Sequence, residues 1–489
     1  MKPGHTRWQE DALKTTASAG KPSLRTRLAF GIGGAAEGIK NNGFEYALLF
    51  FYSNILGVEA GLVAAALLIA LVIDAISDPV VGYWSDNLRT RFGRRHPFLY
   101  ASLIPVAITY FFTWNPPAGV SGNDLFLWLL ACTILVRLSF TFFDVPSTAL
   151  AAELTQDYDA RTSLISIRTF FGWFGGLSIQ ILLFWFLLVP TPDIPVGVFN
   201  IEGWNTYGTV AAVCIFLAVL LCAAGTHSHI PHLKAPPATR NLTLGTIFRE
   251  IFETISNPSF RALFLATLFG LIASGISATL NQYINTIFWG FDNRQIATIT
   301  AAVYISAILA LIIAPIAGKT FGKKRGAITI GALAFTIAPM PVILRLLGLL
   351  PPNGTPELFN IILVITVFDL ALIIATQMLM GSMVADIVED SELKTGRRSE
   401  GIFFAGISFI RKLSQGAGVV TASAVLAVSG FSAGGGGAGA SEESIRLLGW
   451  GYALSLLTAW TLMLTCVSFY RISRESHADN LAKLAARQG

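Results

Sequence analysis

Twelve times along this chain an apolar run reaches roughly 20 residues or more, enough for an α-helix to cross a hydrocarbon core about 30 Å thick. The runs cover residues 27–55, 60–85, 97–114, 123–150, 162–190, 207–225, 260–290, 296–318, 326–347, 358–385, 400–430 and 447–470. In lipid every backbone N–H and C=O must find its partner within the chain, so runs of this length fold as helices. Charged residues make up 13% of the chain, against roughly 25% in a soluble domain, and the mean hydropathy is +0.62. The expected fold class is an all-α polytopic membrane protein embedded in a lipid bilayer.

Basic residues give the orientation. Arg89, Arg91, Arg94 and Arg95 follow the second run, and Lys234, Arg240 and Arg249 lie in the long loop after the sixth. "GKTFGKKRG" (318–326) follows the eighth run and "KTGRR" (394–398) the tenth, and both tails are basic. The opposite side has Arg294 in a loop and Arg345 and Arg446 at the ends of runs. The positive-inside rule then puts both termini in the cytoplasm, and it accounts for the +5 net charge without a nucleic-acid partner. Residues 1–26 lack the apolar core of a cleavable signal peptide.

The Pro-rich stretch opening 226–258 divides the runs six and six. "VVGYWSDNLRTRFGRR" after the second run has a degraded counterpart, "IAGKTFGKKRG", after the eighth, as a duplication would leave. The expected organisation is an N-terminal tail (1–26), a six-helix half (27–225), a cytoplasmic linker (226–258), a second, pseudo-symmetric six-helix half (259–471) and a C-terminal tail (472–489).

Against this apolar background, ionisable residues inside the runs stand out. An aspartate at a membrane helix centre is disfavoured by about 2.5–3.5 kcal/mol on insertion scales. Asp74 and Asp78 are four residues apart and share one helix face, as do Thr141 and Asp144 at a spacing of three. At about 1.5 Å per residue, Asp78 and Asp74 lie roughly 10 and 17 Å from the cytoplasmic end, Asp144 and Arg168 roughly 13 and 10 Å, and Lys412 roughly 18 Å. Three acids and two bases at matched depth need a common interior, and the surplus negative charge invites a cation. Carboxylates and a hydroxyl are hard oxygen ligands that suit Na⁺ and also take a proton. Pro79 frees a carbonyl near Asp74 or Ala75 as a further ligand. Other polar groups within the runs are Glu37, Lys40, Asn41 and Glu45 on the first, Arg137 on the fourth, Asn281, Gln282 and Asn285 on the seventh, and Asp369 on the tenth. Arg137 reads either as an internal partner of Asp144 or Glu45, or as a fork for a substrate carboxylate or phosphate.

Three separated stretches carry a family resemblance. Gly82, Asp86, Gly93, Arg94 and Arg95 resemble the G-x-x-x-D…G-R-R loop of the major facilitator superfamily. "DAISDPVVGYWSDNLRTRFGRRHPF", "TFFDVPSTALAAELTQDYDARTSLISIR" and "ADIVEDSELKTGRRSEGIFFAGISFIRK" together resemble the glycoside–pentoside–hexuronide:cation symporters, the family of the melibiose permease. The resemblance implies an Na⁺ or H⁺ site at Asp74, Asp78, Thr141 and Asp144. It also implies solute contacts at Asp144 and Arg168, and a functional lysine at Lys412. Gly38 and Thr148 stand where the family carries a sugar-binding aspartate and a tryptophan on which the sugar stacks. The solute site is therefore expected to draw on Asp144, Arg168, Lys412, Arg137, Glu37, Lys40, Thr148 and Asn281. Asp86, Arg94, Arg95, Glu389, Glu392, Arg397 and Arg398 are expected to form a cytoplasmic gate of exchangeable ion pairs. The resemblance implies symport of an organic solute, a sugar, glycoside or uronide, with a lysophospholipid as the alternative, since sodium-dependent lysolipid symporters are wider relatives. A monomer in a bacterial inner membrane is expected.

Other chemistry finds little support. Cys132, Cys214, Cys222 and Cys466 lie inside apolar runs and read as small core residues. The six histidines fall outside the runs, no H-E-x-x-H, G-x-S-x-G or P-loop pattern is present, and "HSHIPH" (227–232) lacks cysteine or carboxylate partners for a metal. No enzyme, no organic cofactor and no metal beyond the transported cation is expected.

Overall fold

A computed structural model describes residues 22–155, 158–232, 258–395, 400–431 and 440–471. The tails and most of the linker therefore lie outside the described residues. The chain forms helices in an order that matches the apolar runs. α1 spans Leu24–Asn42 and continues through π-helical turns at Gly43–Ala47 and Phe51–Ile55. It is followed by α2 (Ala60–Asn87), α3 (His96–Trp114), α4 (Gly122–Leu154), α5 (Tyr158–Leu182, extended by the π turn Leu183–Leu187) and α6 (Ile201–Thr226). Then come α7 (Pro258–Tyr283, extended by the π turn Ile284–Phe288), α8 (Asn293–Phe321), α9 (Lys323–Ile337, resumed at Met340–Leu346), α10 (Pro356–Thr395), α11 (Glu400–Val428) and α12 (Glu442–Ser468). The interruption in α9 falls at Pro339, which has no N–H to donate and crowds the carbonyl four residues back.

Among the described residues, ten helices are long and apolar enough to cross a membrane. α1 fails that measure because Glu37, Lys40, Asn41, Asn42 and Glu45 dilute its hydropathy, and the side chains of α11 are described without a break only over Ser414–Val428, an apolar stretch shorter than the measure requires. His96 corrects the expectation that every histidine lies outside the helices. It opens α3, is fully buried, and its Nε2 lies 3.0 Å from the Thr226 hydroxyl at the end of α6.

Packing repeats at an offset of six helices. α1 packs on α5 and α6, α2 on α4, and α3 on α4 and α6; correspondingly, α7 packs on α11 and α12, α8 on α10, and α9 on α10 and α12. Between the two sets, α2 meets α11, α5 meets α8, and α1 meets α7. Local geometry repeats as well. α1 and α7 both end in a π turn followed by a glycine in the left-handed region, Gly57 at φ +78° and Gly290 at φ +67°. Leu56 and Val58 donate to Phe51 and Tyr52, as Trp289 and Phe291 donate to Ile284 and Asn285. Glycine fits there because a Cβ would clash with its own backbone at that φ.

Two further features position the site. First, α1 and α5 cross with their backbones nearly touching. A Cβ on Gly34 would strike the Arg168 carbonyl, and a Cβ on Gly38 would strike the Gly172 carbonyl. Lipid tails are as apolar as leucine, so close van der Waals packing of small residues is what binds such helices. Second, the end away from the arginine loop is filled with aromatics. Trp114 and Trp204 stack at 5.8 Å, Tyr207 and Phe51 pack around them, and Tyr52 donates to the Thr113 carbonyl at 2.7 Å. Side chains join the two six-helix sets there too, with Phe50 edge-on to Tyr283 at 5.1 Å and Asn293 donating to the Leu188 carbonyl.

Candidate functional site

Asp74 and Asp78 project from one face of α2 toward α4, and the side chain that receives both is Thr141. Its Oγ1 lies 3.1 Å from Asp74 Oδ1, 3.1 Å from Asp78 Oδ1 and 3.0 Å from the Arg137 carbonyl one turn back. The Ser77 hydroxyl adds a fourth oxygen at 3.3 Å and also donates to the Asp74 carbonyl at 3.1 Å. A hydroxyl carries one proton, so Thr141 donates to one acceptor at a time. The buried Thr141 hydroxyl thus sits among the oxygens of two half-buried carboxylates on two packed helices. Pro79 sits within α2 and lacks the N–H that would tie down the Ala75 carbonyl.

The remaining expected residues divide into two groups. Asp144 turns from that cluster to α5, where Arg168 Nη2 donates to its Oδ1 at 2.6 Å. Arg168 Nη1 donates to the Ser147 hydroxyl at 3.0 Å, and Glu37 on α1 lies 3.6 Å from Nη2. The close α1–α5 crossing at Gly34 is what brings Glu37 to Arg168. Arg168 is buried while the Asp144 side chain is 36% exposed, so the carboxylate keeps an oxygen open to a ligand. Arg137 pairs with Asp74 at 3.4 Å, rather than with Asp144 or Glu45, because two helical turns separate it from Asp144 and its face looks onto α2. Its Nε is buried without a hydrogen-bond partner among the described residues. Lys40 Nζ sits over the Phe140 ring, 4.4 Å from the centroid. Glu45 accepts from Gln415 Nε2 of α11 at 2.7 Å, a contact between the two six-helix sets that no sequence spacing announces.

Thr148 is exposed on α4, one turn beyond Asp144. Asn281 on α7 accepts from Asn285 Nδ2 at 3.0 Å. The side chain of Lys412 on α11, and those of Glu389 and Glu392 on α10, lie outside the described ones, and Arg397 and Arg398 lie outside the described residues altogether. At the arginine loop, Arg95 pairs with Asp86, and its Nη1 donates to Ser85 at 2.6 Å. Arg94 and Arg95 also converge on Glu153 at the end of α4, at 2.8 and 2.9 Å. Glu153 was not expected in this group. Its only signal in the sequence is a lone acid where α4 reaches the depth of the arginines.

The α8 counterpart of the cluster is apolar. Pro79 and Gly82 of α2 recur as Pro315 and Gly318 of α8, with Val145 of α4 and Leu379 of α10 against the respective glycines. That register puts the buried alanines 310 and 314 where α2 has Asp74 and Asp78, and the buried alanines 371 and 375 where α4 has Arg137 and Thr141. The charged cluster therefore belongs to one half of a repeated scaffold.

Comparison with known proteins agrees with this architecture. The family model described as MFS/sugar transport protein matches residues 29–474. An uncharacterized symporter of Synechocystis sp. is 26% identical, over 97% of this chain and 99% of its own. The glucuronide carrier protein homolog of Escherichia coli is 25% identical over 84% and 85%, and the sphingosine-1-phosphate transporter of Mus musculus 25% over 82% and 80%. Among solved structures, a bacterial homolog of the human lysosomal transporter Spinster, inward-facing and occupied, shares the fold. Its TM-score is 0.60 at 14% identity, over 96% of this chain and 97% of that one. A chain of repeated six-helix packing, with a family match over nearly its whole length, belongs to the MFS/sugar transport protein family of multi-pass membrane transporters.

Proposed function

We propose that this protein is a cation-coupled symporter that carries an organic solute across the membrane by alternating access, with its halves (27–225 and 259–471) rocking about the site and both termini in the cytoplasm. The observation that carries the coupling is the Thr141 hydroxyl within 3.1 Å of two carboxylate oxygens. One Na⁺ or one proton among these oxygens offsets the carboxylate charge, and Asp144 completes the site when a cation draws it from Arg168. Solute then binds at Asp144, Arg168 and Glu37 on one side and Asn281 on the other, with Lys412 as a further contact. Loading the cation offsets the negative charge, which raises affinity for solute and permits the halves to move. The arginine loop and Glu153, with the charged residues before α11, serve as the cytoplasmic gate.

For the solute we infer a sugar, glycoside or uronide, in line with the named cargo of the Escherichia coli relative. Arg137, whose Nε has no partner among the described residues, and Lys40 favour an acidic member of that class. A lysophospholipid is the second reading, favoured by the same arginine and by the named cargo of the mouse relative. Two measurements decide these points. Asp78→Asn is expected to flatten the dependence of uptake on Na⁺ and pH; dependence as steep as the parent's would refute the coupling assignment. A thermal-shift series with sugars, uronides and lysolipids, each with and without Na⁺, reads out the solute by mass action. A Na⁺-dependent shift with lysolipid alone would overturn the sugar reading.

A further inference from the structure

Away from the arginine loop, contacts between the two six-helix sets run from the membrane surface toward its middle. Asn293 donates to the Leu188 carbonyl, Phe50 meets Tyr283 at 5.1 Å, and the Tyr304 hydroxyl of α8 lies 3.2 Å from that of Ser178 on α5. Deeper on α1 than Phe50, Glu45 Oε1 accepts from Gln415 Nε2 of α11 at 2.7 Å. Glu45 lies about 15 Å in from Ile55, where α1 ends, against about 8 Å for Phe50. The ion pairs at the arginine loop, by contrast, join Asp86, Arg94, Arg95 and Glu153 within the first half.

Each member of this pair is fixed within its own half. Gly43 opens the π turn that carries Glu45, and a Cβ there would strike the hydroxyls of Tyr110 on α3 and Tyr207 on α6. The Tyr110 hydroxyl also donates to the Ile39 carbonyl of α1 at 3.4 Å. The wider winding of a π turn shifts the helical phase, so Glu37 pairs with Arg168 on α5 while Glu45, two turns on, faces α11. On the other side, a Cβ on Gly418 would strike the Gly275 backbone of α7, and Ser414 donates to the Leu268 carbonyl at 3.3 Å. Gly416, next to Gln415, lies against Leu68 and Leu71 of α2. The hydrogen bond therefore spans two bodies that are each held internally, and separating them at this end breaks it. Both side chains are half-buried, so water reaches them as they part and no charge is left stranded. The apolar contacts nearby tolerate sliding, whereas a hydrogen bond is directional and fixes one register.

We propose that the Glu45–Gln415 hydrogen bond is a latch between the halves, which holds the end away from the arginine loop closed and sets the balance between this state and the one open at that end. It rests on the alternating-access reading above. A hydrogen bond to a carboxylate shifts such a balance by about ten- to a hundredfold when nothing replaces it, and water at the opened face leaves about tenfold. Gln415 is thus a positioning residue, acting on the halves through Glu45.

Double electron–electron resonance on the full chain in lipid nanodiscs reads this balance. Spin labels go on cysteines placed at the exposed positions Asp124 of α4 and Glu357 of α10, with the four native cysteines replaced by alanine. No solute or Na⁺ is added, so a failed symport assignment, read from the Na⁺ and pH dependence of uptake in Asp78→Asn, is a separate result. Gln415→Leu, which removes the donor at similar volume, is expected to raise the ratio of the longer to the shorter label distance about tenfold. Exchanging the pair, Glu45→Gln together with Gln415→Glu, keeps one donor and one carboxylate and is expected to restore the parent ratio, which also guards against loss of fold. An unchanged ratio in Gln415→Leu overturns the proposal. A rise that the exchange leaves in place overturns it too, because the effect then belongs to the packing of α11 on α2.

Discussion

Replacing Thr141 by valine removes one hydroxyl at nearly constant shape from the point where the α2 carboxylates converge. The oxygen lies 3.1 Å from each, and the residue is 2% exposed, so water has little access to take its place. A hydrogen bond to a charged group contributes about 1.5–3 kcal/mol, and the same oxygen is a ligand once a cation enters. At about 1.4 kcal/mol per factor of ten, cation affinity should fall roughly ten- to a hundredfold. The assay follows by linkage. Cation at about a hundred times its dissociation constant stabilises the protein by about 2.7 kcal/mol, and after that loss of affinity the same concentration leaves about 0.4–1.4 kcal/mol. A Na⁺ or pH titration of thermal stability in detergent, parent against Thr141→Val, reads this directly. If the titration midpoint stays put in the valine variant while Asp78→Asn abolishes the response, the hydroxyl is not a ligand and the place given to Thr141 in the cation site is wrong.

Two further outcomes are expected. Arg137→Gln should weaken binding of an acidic solute far more than that of a neutral analogue, as measured by competition; equal losses would assign Arg137 to holding Asp74. Gly38→Ala should lower thermal stability by about 1–3 kcal/mol, because the new methyl meets the backbone of Gly172 and forces α1 from α5, whereas Gly172→Ala, whose Cβ finds nothing nearer than the Gly34 carbonyl at 3.4 Å, should be tolerated.

Gly38 also shows what a family pattern leaves out. Its register marks a missing sugar-binding carboxylate, which reads as a change of solute. In the folded chain the position has no room for any side chain, because two backbones meet there. Glu37, one residue earlier on α1, faces Arg168 instead, so acid and base still share that part of the site.

Much of this protein follows from sequence because membrane helices are local objects. Length and apolarity specify the spans, and the lack of water in the bilayer specifies that they are helical. Spacings of three and four residues place Asp74 with Asp78, and Thr141 with Asp144, on common faces. Spacing leaves undetermined the rotation of each helix about its axis, which depends on contacts between residues far apart in the chain. That rotation gives Arg137 to Asp74 and Asp144 to Arg168, brings Glu153 to the arginine loop, and joins Glu45 to Gln415. These partnerships arise where small residues let backbones close in, as at Gly34 and Gly38, and the tertiary structure alone decides them.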